Sequence, residues 1–286
     1  MSGRVRTFDE LLADYAKERS GPQHEPVRLG FGSLDADMRG ISAGQVCGIA
    51  ARTAVGKTWV LNAVTDAFAA REDSGALILS LEMPGAEWAE RQLAIAADVA
   101  PEQVEAWARQ GELAQYAQPF LERMRDTVVV EQPTRFKELP GVLSEASQRL
   151  SVPLRLVLID YLGMIGSDGR DAYERASQLG RGLKDLAKEE RVAVVVATQL
   201  SRAGGDGSQP VSIDMLRDSG VLEESVDFLL GCWRPGKAAG LAPPEAMALR
   251  DVMRVALLKN RKGEDGRIVD LRFRSASRRL YEPASL

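Results

Sequence analysis

Histidine is almost absent from this chain and cysteine nearly so: of 286 residues, one is His and two are Cys. The single imidazole, His24, lies between Pro22 and Pro26 with no neighbour at metal-ligand spacing. It reads as a solvated linker residue, and histidine-based catalysis is excluded. Cys47 and Cys232 each sit inside an apolar, strand-like run, where a thiol is usually a small buried hydrophobe; neither a disulfide framework nor a zinc site is supported. Long apolar runs are missing as well. The longest, VAVVVA from Val192 and LRLVLI from Leu154, have strand length and fall far short of the roughly 20 residues of a membrane span. The opening MSGRVRTFDELL contains no apolar stretch before its first acids, so it does not read as a secretory signal and a cytoplasmic protein is expected. A positive excess is missing too: 37 Lys and Arg stand against 41 Asp and Glu, a net charge of −4, which argues against a protein that coats nucleic acid with its whole surface. Any DNA site must be local.

What is present is an ordinary globular mixture, 45% hydrophobic and 27% charged residues, enough for one large core domain with a small N-terminal arm. The arm is expected over residues 1–28. Residues 7–18, TFDELLADYAKE, place Phe8, Leu11, Leu12 and Tyr15 on one helical stripe. The following RSGPQHEPVRLG breaks the helix and predicts a tether. From residue 29 to the end, short β-branched runs alternate with helical patterns, the form of an α/β domain with a mainly parallel sheet. Strands are expected near 46–50, 76–80, 127–131, 154–160 and 192–198, and helices near 58–71, 85–99, 101–125, 138–150 and 173–190. Strand-like segments at 226–233, 252–259 and 268–274 predict a meander or hairpin at one sheet edge, interrupted by a Gly/Pro/Ala stretch around 235–245.

Residues 51–58, ARTAVGKT, directly follow the apolar run VCGIA and directly precede the helical pattern TWVLNAVTDAFAA. Strand, loop, helix is the context that turns a GKT tripeptide from coincidence into a phosphate-binding loop. The strict pattern has Gly first, where this chain has Ala51, but Gly56, Lys57 and Thr58 are intact. Successive backbone N–H groups and the helix N-terminus wrap phosphates, so the stretch Ala54, Val55, Gly56, Lys57, Thr58 and Trp59 is expected to hold a nucleotide, ATP. Lys57 would meet the β- and γ-phosphates, and Thr58 would ligate Mg²⁺. RPGKAAG at 234–240 has a GK without the hydroxyl residue and reads as a surface turn.

A metal held by Thr58 needs an acid opposite. LRLVLID supplies Asp160 at the end of an apolar strand. Glu82 follows the strand GALILSL and is the candidate for orienting the attacking water. Both carboxylates are expected at the carboxyl edge of a parallel sheet beside the phosphate loop, although either alone reads as a helix first-turn acid. A third strand ends at Gln199, placed to hydrogen-bond the γ-phosphate or the water; taken alone it is equally a polar strand end facing solvent.

In order along the chain, GFGSLDADMRGISAGQVCGIAARTAVGKT, SLEMP, LIDYLGMI, LKDLAKEERVAVVVATQLSR, LRDSGVLEESVDFLL and LLKNRKGEDG resemble the motor-domain motifs of DnaB-type replicative helicases, from about Leu29 to the C-terminus. The resemblance implies a RecA-like fold, a ring that is usually hexameric, ATP bound between subunits, and single-stranded DNA in the central channel. It makes Lys57 and Thr58 nucleotide ligands, Glu82 the catalytic glutamate, Asp160 the acid beside Mg²⁺ and Gln199 the γ-phosphate sensor. It adds Lys259 and Arg261 of KNRKG as a basic pair reaching a neighbouring subunit's nucleotide, Arg261 as arginine finger; by itself KNRK is a charged turn. It places DNA-facing loops after the strands ending at Asp160 and Gln199, with Arg170, Arg202, Arg217 and the backbone near Gly220 as candidates for phosphate contacts. A primase or a helicase loader is the further kind of partner it implies. Thr53-Ala54 and Gly163 depart from the family's usual Pro-Ser and Gln without removing a catalytic group. The arm stands where typical members carry a helical N-terminal domain, a form that suggests a phage or mobile-element helicase, or a truncated relative with a different task. Competing readings are a RecA-, RadA- or KaiC-like ATPase without unwinding activity, and an ATP-gated helicase partner.

Overall fold

The computed structural model describes residues 7–19, 25–170, 172–200, 205–215 and 220–283. The apolar runs form a sheet. β1 (Val46–Ala51), β2 (Gly75–Ser80), β3 (Thr127–Val130), β4 (Leu154–Asp160), β5 (Ala193–Gln199) and β6 (Phe228–Trp233) are parallel, in the order β3-β2-β4-β5-β1-β6. Beyond β6 the sheet continues antiparallel through β7 (Val252–Asn260), β8 (Ile268–Phe273) and the short β9 (Leu280–Tyr281).

The central strands are mostly apolar because both of their faces are covered, as parallel sheets require. In β5, Ala193, Val195 and Ala197 join a cluster containing Val60, Leu61, Val64 and Phe68 of α3 (Lys57–Phe68). Val194 and Val196 point the other way, to Leu143 of α7 (Leu139–Arg149) and to Leu179, Leu183 and Leu186 of α8 (Ala172–Glu189). Each fully buried Leu or Val is worth roughly 1.5–3 kcal/mol relative to exposure, so burial on both faces anchors this strand between the two layers.

The helix expected over 101–125 is two helices, α5 (Pro101–Gln110) and α6 (Leu113–Arg123). Gly111 ends the first at φ +75° with open space around it, so the left-handed backbone angle selects glycine there, not crowding. With α4 (Gly85–Ala97), these helices enclose a separate small core of Leu93, Ala94, Val104, Trp107 and Ala117. The 235–245 stretch also holds more order than its composition suggests: a 3₁₀ turn at Pro235–Lys237 and α10 (Pro243–Leu249).

The arm forms α1 (Phe8–Arg19), opened by a reciprocal cap between Thr7 and Glu10. Its stripe is uncovered: Phe8 is 83% exposed and Leu12 62%, with Leu11 and Tyr15 also exposed. His24 lies outside the described residues. The main body takes hold at Val27, which exchanges backbone hydrogen bonds with Ile41. The carboxylate of Asp35 on α2 (Gly32–Met38) then accepts from the N–H groups of Leu29, Gly30 and Phe31. No helix among the described residues is long and apolar enough to cross a membrane.

Candidate nucleotide-binding site

The phosphate loop leaves β1 at Ala51 and enters α3 at Lys57. Two of its residues have positive φ, Ala54 at +60° and Gly56 at +123°. At Gly56 the backbone angle selects glycine, and a Cβ there would also displace the end of the Met253 side chain, 2.6 Å away. Lys57 is buried, and burial holds its ammonium below the usual lysine value, with Glu82 and Asp160 acting in the opposite sense.

Asp160 is also buried, at the tip of β4. Its Oδ2 accepts from Thr58 Oγ1 at 2.7 Å, while its Oδ1 is buried with no partner. Burial raises its carboxyl above the ordinary aspartate value and the charge of Glu82 adds to this, against the Thr58 hydrogen bond and the charges of Lys57 and Arg91. A carboxylate with one orphaned buried oxygen beside a hydroxyl is a site that a hard cation fits.

Sheet register brings the other candidates to the same edge. Ser80 of β2 pairs with Asp160, and the N–H groups of Leu81 and Glu82 both donate to the Asp160 carbonyl. Gln199 pairs with Ala51, and its Nε2 donates to Thr53 Oγ1 at 2.6 Å. The Gln199 amide therefore rests on a residue of the phosphate loop. Residues 53–59, Glu82, Met83, Arg91, Asp160 and Arg234 line one open cavity of about 450 Å³.

Arg91 and Arg234 were not legible as site residues. Arg91 on α4 lies over Trp59, 5.2 Å from the ring centroid, and Arg234 over Phe273 at 4.8 Å. Each reads as a solvated charge when only its own segment is considered. RPGKAAG is a turn, as its composition indicates, but one docked on the phosphate loop: Lys237 Nζ donates to the Ala54 carbonyl at 2.7 Å.

Lys259 and Arg261 are not brought to this cavity. Asn260 pairs with Phe228 and Phe228 with Cys47, whereas Ala51 pairs with Cys232 and Cys232 with Val255. The basic turn and the phosphate loop thus lie at opposite ends of the strands, about 13 Å apart along them. There Arg261 faces the buried Asp227 at 3.4 Å and donates to the Glu224 carbonyl, and Lys259 donates to the Glu223 carbonyl. Asp227 also accepts from Lys184 Nζ at 2.6 Å and from the Val46 N–H at 2.8 Å. Of the DNA candidates, Arg170 is exposed ahead of α8 and Gly220 opens α9 (Gly220–Ser225). Arg202 and Arg217 lie outside the described residues.

A phosphate loop between β1 and α3, with carboxylates at the ends of neighbouring parallel strands, defines a RecA-like P-loop nucleotide-binding domain. The chain belongs to the family of DnaB-like helicase C-terminal domains, whose model matches residues 26–282. Replicative DNA helicases DnaB of Leifsonia xyli and of Nostoc sp. are each 29% identical to it, over 78% and 77% of this chain and 49% and 26% of their own lengths. The chain thus spans half or less of these curated relatives. The ATPase domain of G40P superimposes with a TM-score of 0.81 at 23% identity, covering 98% of this chain and 99% of that one. A DnaB-like replicative helicase studied with primase gives 0.77, at 23% identity and over 98% of this chain and 68% of that one. Both carry the same fold.

Proposed function

We infer that this domain hydrolyses ATP at the interface between neighbouring copies of the chain, in a ring of six, and uses the cycle to move along single-stranded DNA and unwind duplex. One observation carries the reading. Lys57, Thr58, Glu82 and Asp160 meet in one cavity, while the basic pair Lys259 and Arg261 is held at the far edge of the same sheet. A site that needs that pair is complete only when a second copy supplies it, a head-to-tail arrangement that makes a ring where the rotation between copies closes.

In this reading Lys57 and the loop N–H groups bind the β- and γ-phosphates. Among the described residues no three His, Cys, Asp or Glu side chains gather as a metal cluster. Thr58 and Asp160 would hold Mg²⁺, which when bound would neutralise phosphate charge. Glu82, exposed above the cavity, orients the water, and Gln199 reports the γ-phosphate to the loop beyond β5. The base end has room in the adjoining cavity of about 470 Å³, which shares Trp59 and Arg234 with the phosphate pocket and adds Phe273 and Tyr281. Arg170, Arg202, Arg217 and Gly220 are the proposed DNA contacts, and a primase or loader the proposed protein partner.

Replacing Glu82 with Gln tests the chemistry. Nucleotide affinity should stay within a few-fold while turnover falls by about 10²- to 10⁴-fold, because an amide cannot take the water's proton. If binding is lost instead, Glu82 has a structural role. The arm tests the assembly. A 12-residue helix is marginal in water alone, and its apolar stripe is uncovered in the single chain, so it is proposed to pack on the adjacent motor domain. Deleting residues 1–25 should dissociate the ring in sedimentation and lower ATPase while leaving the monomer folded. An arm-deleted protein that still sediments as a full ring with normal turnover rules this out.

A further inference from the structure

A set of contacts joins the phosphate loop to the segment after β5, and the hydrolysis chemistry does not call on it. Arg52 donates from Nη1 to the Leu200 carbonyl and from Nε to the Gly205 carbonyl, each at 2.8 Å. The Leu200 N–H donates back to the Ala51 carbonyl at 3.0 Å. Gly207, at φ +88°, lies so close to the loop that a Cβ there would stand 2.5 Å from Val55 Cγ2 and 3.3 Å from Arg52 Cβ. Its carbonyl accepts from the Arg234 N–H at 2.8 Å. One guanidinium therefore grips two points of the chain five residues apart, on either side of residues 201–204.

Two features make this a link and not a surface decoration. A planar guanidinium donates in a fixed fork, so Leu200 and Gly205 cannot move independently of each other or of the loop while both bonds persist. The loop itself holds Ala54 and Gly56 in sparsely populated backbone conformations, which survive only where the surroundings over-determine them. A change in those surroundings alters the cradle offered to the phosphates.

We propose that Arg52 is a positioning residue that couples the phosphate loop to residues 205–215. Nucleotide in the loop sets the conformation of that segment, and a ligand on the segment changes how the loop holds phosphate, since coupling between two binding events is reciprocal. The first half needs only the nucleotide site. The use of the link by single-stranded DNA rests on the function proposed above.

Hydrogen exchange of the full chain tests it, with and without a non-hydrolysable ATP analogue and Mg²⁺, in wild type, Arg52→Ala and Arg52→Lys. Both variants should fold, because Arg52 is only half-buried; unchanged thermal midpoints check this. In wild type the analogue should slow exchange in peptides covering 52–63 and 205–215. In Arg52→Ala the first protection should persist and the second disappear; Arg52→Lys, which keeps the charge without the fork, should behave like Arg52→Ala. A 205–215 response equal to wild type in Arg52→Ala, or no response there in wild type, overturns the coupling. Absence of protection at 52–63 in wild type overturns the nucleotide reading with it. In a parallel arm, the factor by which oligo(dT) stimulates ATP turnover should fall about tenfold in Arg52→Ala, with fluorescent-ATP affinity within about threefold. Full stimulation in Arg52→Ala overturns the reciprocal half. A wild-type protein that oligo(dT) does not stimulate counts against the DNA reading, and the exchange result alone then decides Arg52.

Discussion

Replacing Lys57 with Ala should lower ATP turnover by at least about 10³-fold, because it removes a buried cation placed to face the transferring phosphate as charge redistributes in the transition state. Nucleotide affinity should fall as well. Glu82 and Asp160 both act on Lys57 from across the cavity, and without the ammonium their negative charge meets the phosphates unopposed. The apo domain should not suffer. Burial already holds the Lys57 ammonium below its usual value, so the charged form is disfavoured by folding and its removal leaves stability unchanged or slightly raised. Steady-state turnover, nucleotide titration and thermal unfolding read the three quantities separately. Turnover near wild type would remove Lys57 from the site, and a large fall in thermal midpoint would make it a structural residue.

Arg261→Ala should abolish turnover by about 10³-fold or more, the scale of arginine-finger losses, while each subunit still binds nucleotide. The sheet register is the ground for proposing that the loss appears in trans. Arg261 follows Asn260, which pairs with Phe228 at the amino end of the parallel strands, whereas the phosphate loop leaves from the carboxyl end. No side chain reaches across that length to its own nucleotide. Mixing inactive Arg261→Ala with inactive Lys57→Ala subunits should then restore activity, up to about a quarter of the interfaces in a random head-to-tail ring, since that fraction joins an intact loop to an intact finger. No recovery despite demonstrated subunit mixing would place Arg261 elsewhere. Part of any effect reflects Asp227, which is buried and would lose the Arg261 guanidinium at 3.4 Å while keeping Lys184 at 2.6 Å. Arg261→Lys, which retains a charge at that position, separates a folding contribution from a lost fork.

Strand-by-strand, the chemistry was legible because it is written locally. GKT after an apolar strand and before a helical pattern needs no partner segment to be recognised, and an acid closing an apolar strand points to the carboxyl edge once the strands are parallel. The same local logic failed at Gly111, where an amphipathic period continues across a left-handed residue and one helix was expected in place of two. It also passed over Arg52, Arg91, Arg234 and Lys237, whose partners lie far along the chain: Arg52 meets Gly205, and Lys237 meets Ala54.

By itself the sequence determined the α/β alternation, the two-faced burial of the central strands, the phosphate loop and the identities of Lys57, Thr58, Glu82, Asp160 and Gln199 as candidates. Those features depend on hydrophobic period, on backbone demands of single residues and on contiguous motifs, all of which are short-range. The tertiary structure alone decided that β5 runs between β4 and β1, that Asp160 meets Thr58 with one oxygen left without a partner, and that Arg261 and the phosphate loop face away from each other. Strand order and register are set by which buried faces pack best across the whole domain, an outcome of long-range contacts that no local stretch of residues encodes.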